Sequence, residues 1–139
     1  MRIPSALQLK KLFLAAKKAR TRAHAPYSGH SIGAALLTRD GKIISGCNIE
    51  NASYGGTVCA ERVAIWKAVS EGSKVPIQDI CVISHQQDPW PPCGLCRQVI
   101  SEFANAETRV HIANMKGIKK TMTFGELFPD AFTPHHLKK

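Results

Sequence analysis

The chain has 139 residues, 44% of them hydrophobic, which suits one compact domain spanning 1–139 with a single core. No run of eighteen apolar residues occurs, and lysines sit inside the apolar pattern of Met1 to Leu14 rather than ahead of it. Both features argue against a membrane span or an export signal and predict a soluble, cytoplasmic protein. The formal net charge of +9 makes an anionic partner worth weighing, but much of the excess lies in Lys10, Lys11, Lys17, Lys18, Arg20 and Arg22 and in Lys116, Lys119, Lys120, Lys138 and Lys139. Such clusters are usually a solvated face or tail, so nucleic acid is not the favoured partner.

From Ser5 to Ala23, Leu9, Leu12, Phe13, Ala16, Ala19 and Ala23 recur at helical spacing with lysines opposite, which predicts an amphipathic first helix. It should stop before Ala25-Pro26-Tyr27-Ser28-Gly29, because proline restricts the residue before it and Ser-Gly favours a turn. Ile32 to Thr38 and Lys42 to Cys47 flank Arg39-Asp40-Gly41, a strong hairpin signal. Asn48 to Thr57 reads as a loop. Cys59 to Ser70 is helical in composition, with Gly72 as a stop. Ile77 to Ser84 reads as a buried strand, His85 to Pro92 as a proline-rich loop and Cys93 to Ala104 as a second buried helix. Arg109 to Ala113 reads as a further strand and Phe124 to Leu127 as a helical turn. Strands alternating with helices after a hairpin predict an α/β fold, a mixed sheet covered by helices on its faces.

Five cysteines without an export signal are better read as reduced thiols than as a disulfide framework. Cys59-Ala60-Glu61 and Pro92-Cys93-Gly94-Leu95-Cys96 each open a predicted helix, where unpaired N–H groups and the helix dipole favour thiolate. Cys93 and Cys96, three apart in a first turn, face the same side and can bind one ion, and Cys59 can supply a third sulfur. Three protein ligands leave one tetrahedral position for water, the arrangement of a catalytic rather than a closed structural zinc. Glu61, two residues after Cys59, is where a general base belongs. A Cys or His followed by x-Glu, then Pro-Cys-x-x-Cys, is the described signature of zinc deaminases. A lone C-x-x-C would equally suit a redox pair or half of a structural zinc site, so the conjunction carries the reading.

Three thiolates on a dication leave the site at net minus one, and Arg62, just after Cys59-Ala60-Glu61, and Arg97, directly after Cys96, are candidates to hydrogen-bond the sulfurs and offset that charge. Cys47 and Cys81 sit in apolar strands as expected buried thiols. His24, His85, His111, His135 and His136 show no ligand spacing to the cysteines.

Taken with Ala25-Pro26-Tyr27-Ser28, Gly33-Ala34-Ala35-Leu36, Gly46-Cys47-Asn48-Ile49-Glu50-Asn51-Ala52-Ser53-Tyr54, Cys96-Arg97-Gln98 and Leu127-Phe128-Pro129-Asp130-Ala131-Phe132, the chain resembles the small homotetrameric cytidine deaminases along almost its whole length. The resemblance implies a three-layer α-β-α sandwich around a five-stranded mixed sheet, and one Zn2+ per subunit. It also implies hydrolysis of cytidine or deoxycytidine to the uridine product and ammonia, in pyrimidine salvage. Glu61 would take a proton from the attacking water and deliver protons to N3 and the leaving amine. Asn48 and Glu50 would bind the sugar hydroxyls, and Ala60 and Glu61 would read the base edge. Ala52, Tyr54 and Phe132 would border a neighbouring subunit's site. His30 stands where relatives usually carry the Phe that stacks on the pyrimidine. On chemistry alone, a charged Glu50 favours a free nucleoside, because it repels a phosphate on the same sugar. Ordinary loop capping is the plain alternative for Asn48 and Glu50. The competing readings are a deaminase of single-stranded nucleic acid or of a modified cytosine nucleoside, and a non-enzymatic zinc module, which would need a fourth protein ligand.

Overall fold

The computed structural model describes residues 2–139. Helix α1 (Ala6–Arg20) starts at a capping box in which the Ser5 hydroxyl accepts from Gln8 N and the Gln8 side chain accepts from Ser5 N. Lys17, Lys18 and Arg20 in its last turn complement the dipole. The helix ends three residues before the expected Ala23. The N–H groups of Thr21, Arg22 and Ala23 bond three residues back, tightening the last turn ahead of Pro26.

Strands β1 (Gly33–Leu37) and β2 (Ile43–Cys47) form the expected antiparallel hairpin, Leu37 opposite Ile43. Its turn needs Gly41, whose φ is +84°, and is tied by Thr38 Oγ1 donating to Asp40 Oδ1 at 2.6 Å. After a loop containing a single 3₁₀ turn (Tyr54–Gly56) come α2 (Ala60–Ser70), β3 (Asp79–Ile83), α3 (Gly94–Phe103) and β4 (Arg109–Asn114). Then follow β5 (Gly117–Thr123), α4 (Phe124–Leu127) and a terminal 3₁₀ turn (Pro134–Leu137). The sheet order is β2-β1-β3-β4-β5, with β3 and β4 parallel across α3 and every other pair antiparallel.

The residues alone indicated four of these strands. Gly117–Thr123 has an exposed centre at Lys119, Lys120 and Thr121 and hydrogen-bonds as an edge, where lysines are common and apolar alternation is weak.

Strand alternation sorts the core into two layers. Ala35, Leu37, Cys81, Ile83 and Ala113 pack with Leu12 and Ala16 of α1. Leu36, Ile80, Val82, Val110 and Ile112 pack with Ala64 and Ile65 of α2 and Ile100 of α3 on the other face. The result is the α-β-α sandwich implied by the sequence. Helix α2 lies close on β2: a Cβ on Gly46 would come 2.6 Å from Ala64 N and 2.8 Å from Ala60 O, so only glycine permits this approach.

Candidate active site

The two parts of the cysteine motif meet at helix starts. Cys59 is the N-cap of α2 and Cys93 the N-cap of α3, with Cys96 in the first turn of α3. Cys59 Sγ and Cys93 Sγ lie 3.8 Å apart, and all three sulfurs lie within 4.8 Å of one another. Two thiolates each about 2.3 Å from one tetrahedral ion are roughly 3.8 Å apart, so the spacing fits zinc. Among the described residues no histidine, aspartate or glutamate joins the cluster as a fourth ligand.

The protonation of the thiols supports the same reading. A hydrogen bond from Cys96 outweighs burial and, with Arg62 and Cys93, brings Cys59 down to about 5. Cys96 is driven far above the ordinary thiol range by that same bond, by burial and by the negative charge of Glu61 and Cys59. Three thiolates cannot share this space on their own. A dication lets all three ionise, which is the chemistry this donor set is built for.

Glu61 is only 3% exposed, and burial, reinforced by the adjacent Cys59 charge, pushes its carboxyl up to about 7. A carboxyl near neutrality can both accept and return a proton. Arg62 Nη2 reaches Cys59 Sγ at 3.4 Å, and its guanidinium lies 5.9 Å from the Trp66 ring centre. Arg97 is a correction to the sequence expectation. Its Nε donates to Pro92 O and its Nη1 to Leu127 O, both at 2.8 Å, so it braces the turn leading into Cys93 and touches no sulfur. An arginine one residue after a ligand on a helix points about 100° away from it, which the sequence spacing did not weigh.

A cleft of about 260 Å³ opens over the cluster, lined by Cys59, Glu61 and Cys93 and, further out, by His30, Asn48 and Glu50. Asn48 and Glu50 also perform the local bracing considered from the sequence. Asn48 Nδ2 donates to His30 O at 2.7 Å and its Oδ1 accepts from Ile32 N at 2.8 Å. Glu50 accepts from Tyr27 N, Ser28 N and the Ser28 hydroxyl, the last at 2.5 Å, and these bonds hold its carboxyl below the usual range. Bracing and cleft-lining therefore coincide in the same two side chains.

Ala60, Ala52, Tyr54 and Phe132 do not line this cleft. Ala60 is fully buried at the start of α2, whereas Tyr54 and Phe132 are 76% and 54% exposed. Conversely, Ser84, Trp90 and Pro91 line the cleft although no sequence motif points to them. The available signal was a tryptophan held between prolines just ahead of the cysteine pair.

The profile of the cytidine and deoxycytidylate deaminase zinc-binding region matches residues 7–112. The chain belongs to this deaminase family. It is 50% identical over 116 residues to a cytidine deaminase of Halalkalibacterium halodurans, covering 84% of this chain and 87% of that one. To a cytidine deaminase of Sporosarcina psychrophila it is 45% identical, covering 94% and 96%. A blasticidin-S deaminase of Bacillus cereus is a further relative, 37% identical over 75% of this chain and 78% of its own length. Among solved structures, a cytidine deaminase from Burkholderia pseudomallei superposes with a TM-score of 0.83 at 46% identity, covering 88% of this chain and 98% of that one. Family membership accords with the three-sulfur cluster as a zinc site and with Glu61 beside it.

Proposed function

We propose that the protein hydrolyses cytidine and deoxycytidine to uridine and deoxyuridine with release of ammonia, as a cytoplasmic, single-domain enzyme of pyrimidine salvage. The observation that carries the reading is a cleft lined by Cys59, Cys93 and the buried carboxyl of Glu61, above a cluster of three thiols that no fourth ligand joins among the described residues. Cys59, Cys93 and Cys96 would hold the zinc, which supplies Lewis acidity and makes water a usable nucleophile at neutral pH.

The remaining work falls to this chain's own side chains. Glu61 accepts one proton from the attacking water and gives it to N3, then takes the remaining proton from the hydroxyl left on C4 and gives it to the departing amine as the C4–N bond breaks and the carbonyl forms, so that one carboxyl acts as base and acid in turn. Arg62 offsets the negative charge of the sulfurs and fixes Cys59. Asn48 and Glu50 face the sugar hydroxyls while holding the 24–32 turn in place, and Glu61 addresses the base edge, with the fully buried Ala60 seating it at the start of α2. Ala52, Tyr54 and Phe132 complete the site of a neighbouring subunit in a homotetramer.

The deciding experiment measures ammonia release from cytidine, from its monophosphate and from short single-stranded DNA, with zinc determined on the same sample. Cytidine should be the best substrate, because Glu50 penalises phosphate. Glu61→Gln should keep the zinc and lose roughly 100-fold to 10,000-fold in kcat. A preference for DNA, or full activity in Glu61→Gln, would overturn the proposal.

A further inference from the structure

The base-binding end of the cleft departs from what the sequence alone suggests. His30 does not stand there as an isolated ring. Its imidazole stacks on His85, with ring centres 5.5 Å apart and planes 17° apart. It meets Trp90 edge-on at 4.8 Å and 66°. Its Nδ1 is buried with no hydrogen-bond partner, so through that atom it presents no polar handle to the cleft. The backbone on each side of the ring is clamped: His30 N donates to Ser28 Oγ at 3.0 Å and His30 O accepts from Asn48 Nδ2.

Trp90 is held just as firmly. It lies between Pro89 and Pro91, whose fixed φ angles stiffen the segment, and its backbone N–H donates to Ser84 Oγ at 3.3 Å. Trp90 and His30 both line the cleft that contains Glu61 and Cys93. A small imidazole and a large indole in edge contact therefore form one aromatic wall, close to where the pyrimidine must sit for Glu61 to reach N3.

Resting on the proposed cytidine activity, the geometry points to Trp90 as a specificity-determining residue. It supplies, beside His30 and inclined to it by 66°, an apolar ring face that selects a planar pyrimidine. An indole offers more stacking surface than an imidazole, and base–aromatic stacking is commonly strong enough for its removal to cost a tenfold loss of affinity or more. The role is binding rather than chemistry, so its loss should appear in KM and leave kcat nearly untouched.

The test compares wild type with Trp90→Phe, Trp90→Val, His30→Ala and the Trp90→Val/His30→Ala double variant. Kinetics with cytidine are measured alongside competitive inhibition by uridine and by 5,6-dihydrouridine, whose saturated ring is puckered. Trp90→Val should raise KM for cytidine roughly tenfold with kcat within about threefold, and Trp90→Phe should restore most of the affinity. The preference for uridine over dihydrouridine should shrink in Trp90→Val, and the double variant should lose less than the product of the single losses. An unchanged KM, or an unchanged planarity preference in a zinc-replete Trp90→Val protein, overturns the assignment. So does loss of zinc in both Trp90 variants, which would make the residue a scaffold element. A wild type inactive on cytidine would instead refute the activity on which the assignment rests.

Discussion

At the scale of single residues, the chemistry is concentrated in groups whose charge is set by their neighbours. Arg62 is the clearest case, a mostly buried cation within 3.4 Å of the Cys59 sulfur, with its Nε left without a hydrogen-bond partner. Replacing it by glutamine keeps a polar, hydrogen-bonding side chain and removes the charge. Groups that support metal ligands typically contribute 10-fold to 100-fold, so Arg62→Gln should lower kcat roughly tenfold near neutrality and weaken zinc retention in a chelator titration. An unaltered pH–rate profile and unaltered zinc affinity would remove Arg62 from that role. The gathering of Cys59, Cys93 and Cys96 with Glu61 nearby was legible in the sequence because it depends on short spacings at helix starts. Arg97 was misjudged because adjacency in sequence says little about direction on a helix. The contacts of Trp90 and His85 with His30 are not legible in the sequence, because they join segments more than fifty residues apart and no local pattern encodes them.

At the scale of elements, the cluster depends on where α2 is seated. Gly46 lies beneath the first turns of α2, within contact of the backbone at Ala60 and Ala64. Gly46→Ala should push the helix that carries Cys59 and Glu61 away from the sheet. Overpacking of this kind typically costs about 1–3 kcal/mol, so a lowered Tm with reduced zinc content is the expected outcome, measured by calorimetry and metal analysis.

The opposite face of the sheet holds a buried ion group. Asp79 in β3 accepts from Arg109 at 2.7 and 2.9 Å and bonds His111 at 2.8 Å. Burial opposes ionisation of Asp79, but the bonds to His111 and Arg109 outweigh it and hold the carboxyl below its ordinary range. A lowered pKa contributes stability that is complete above the unfolded value of about 3.9 and is lost as pH falls through the folded value. Asp79→Asn should cost about 3–5 kcal/mol at neutral pH. It should also flatten the dependence of denaturant stability on pH below about 4. An unchanged slope in acid would locate the pH sensitivity elsewhere. The hairpin, the two buried helices and β3 were readable from periodicity and turn residues, whereas edge strand β5 was not, since its lysines obscure the alternation.

At the scale of the whole molecule, no helix among the described residues is long and apolar enough to cross a membrane. The aromatic side chains of Tyr54 and Phe132 are nonetheless largely exposed, and Phe132 O is anchored by Gln98 Nε2 at 2.8 Å. An exposed ring on an anchored backbone suits contact with another subunit. Phe132→Ala should shift the protein toward smaller species in size-exclusion chromatography. It should also raise KM roughly tenfold, the scale of a central interface residue, with activity that falls on dilution. A variant of unchanged size and kinetics would place Phe132 outside the shared site.

The three clustered thiols and Glu61 sit at the starts of two packed helices, whereas His30 and Trp90 ride on the turns before β1 and before α3. Under the proposed function, reaction type and substrate choice are borne by separable parts of the chain. Exchanging the two turns alone should retune which pyrimidine is accepted while the hydrolytic machinery stays intact, a modularity open to evolution and engineering alike.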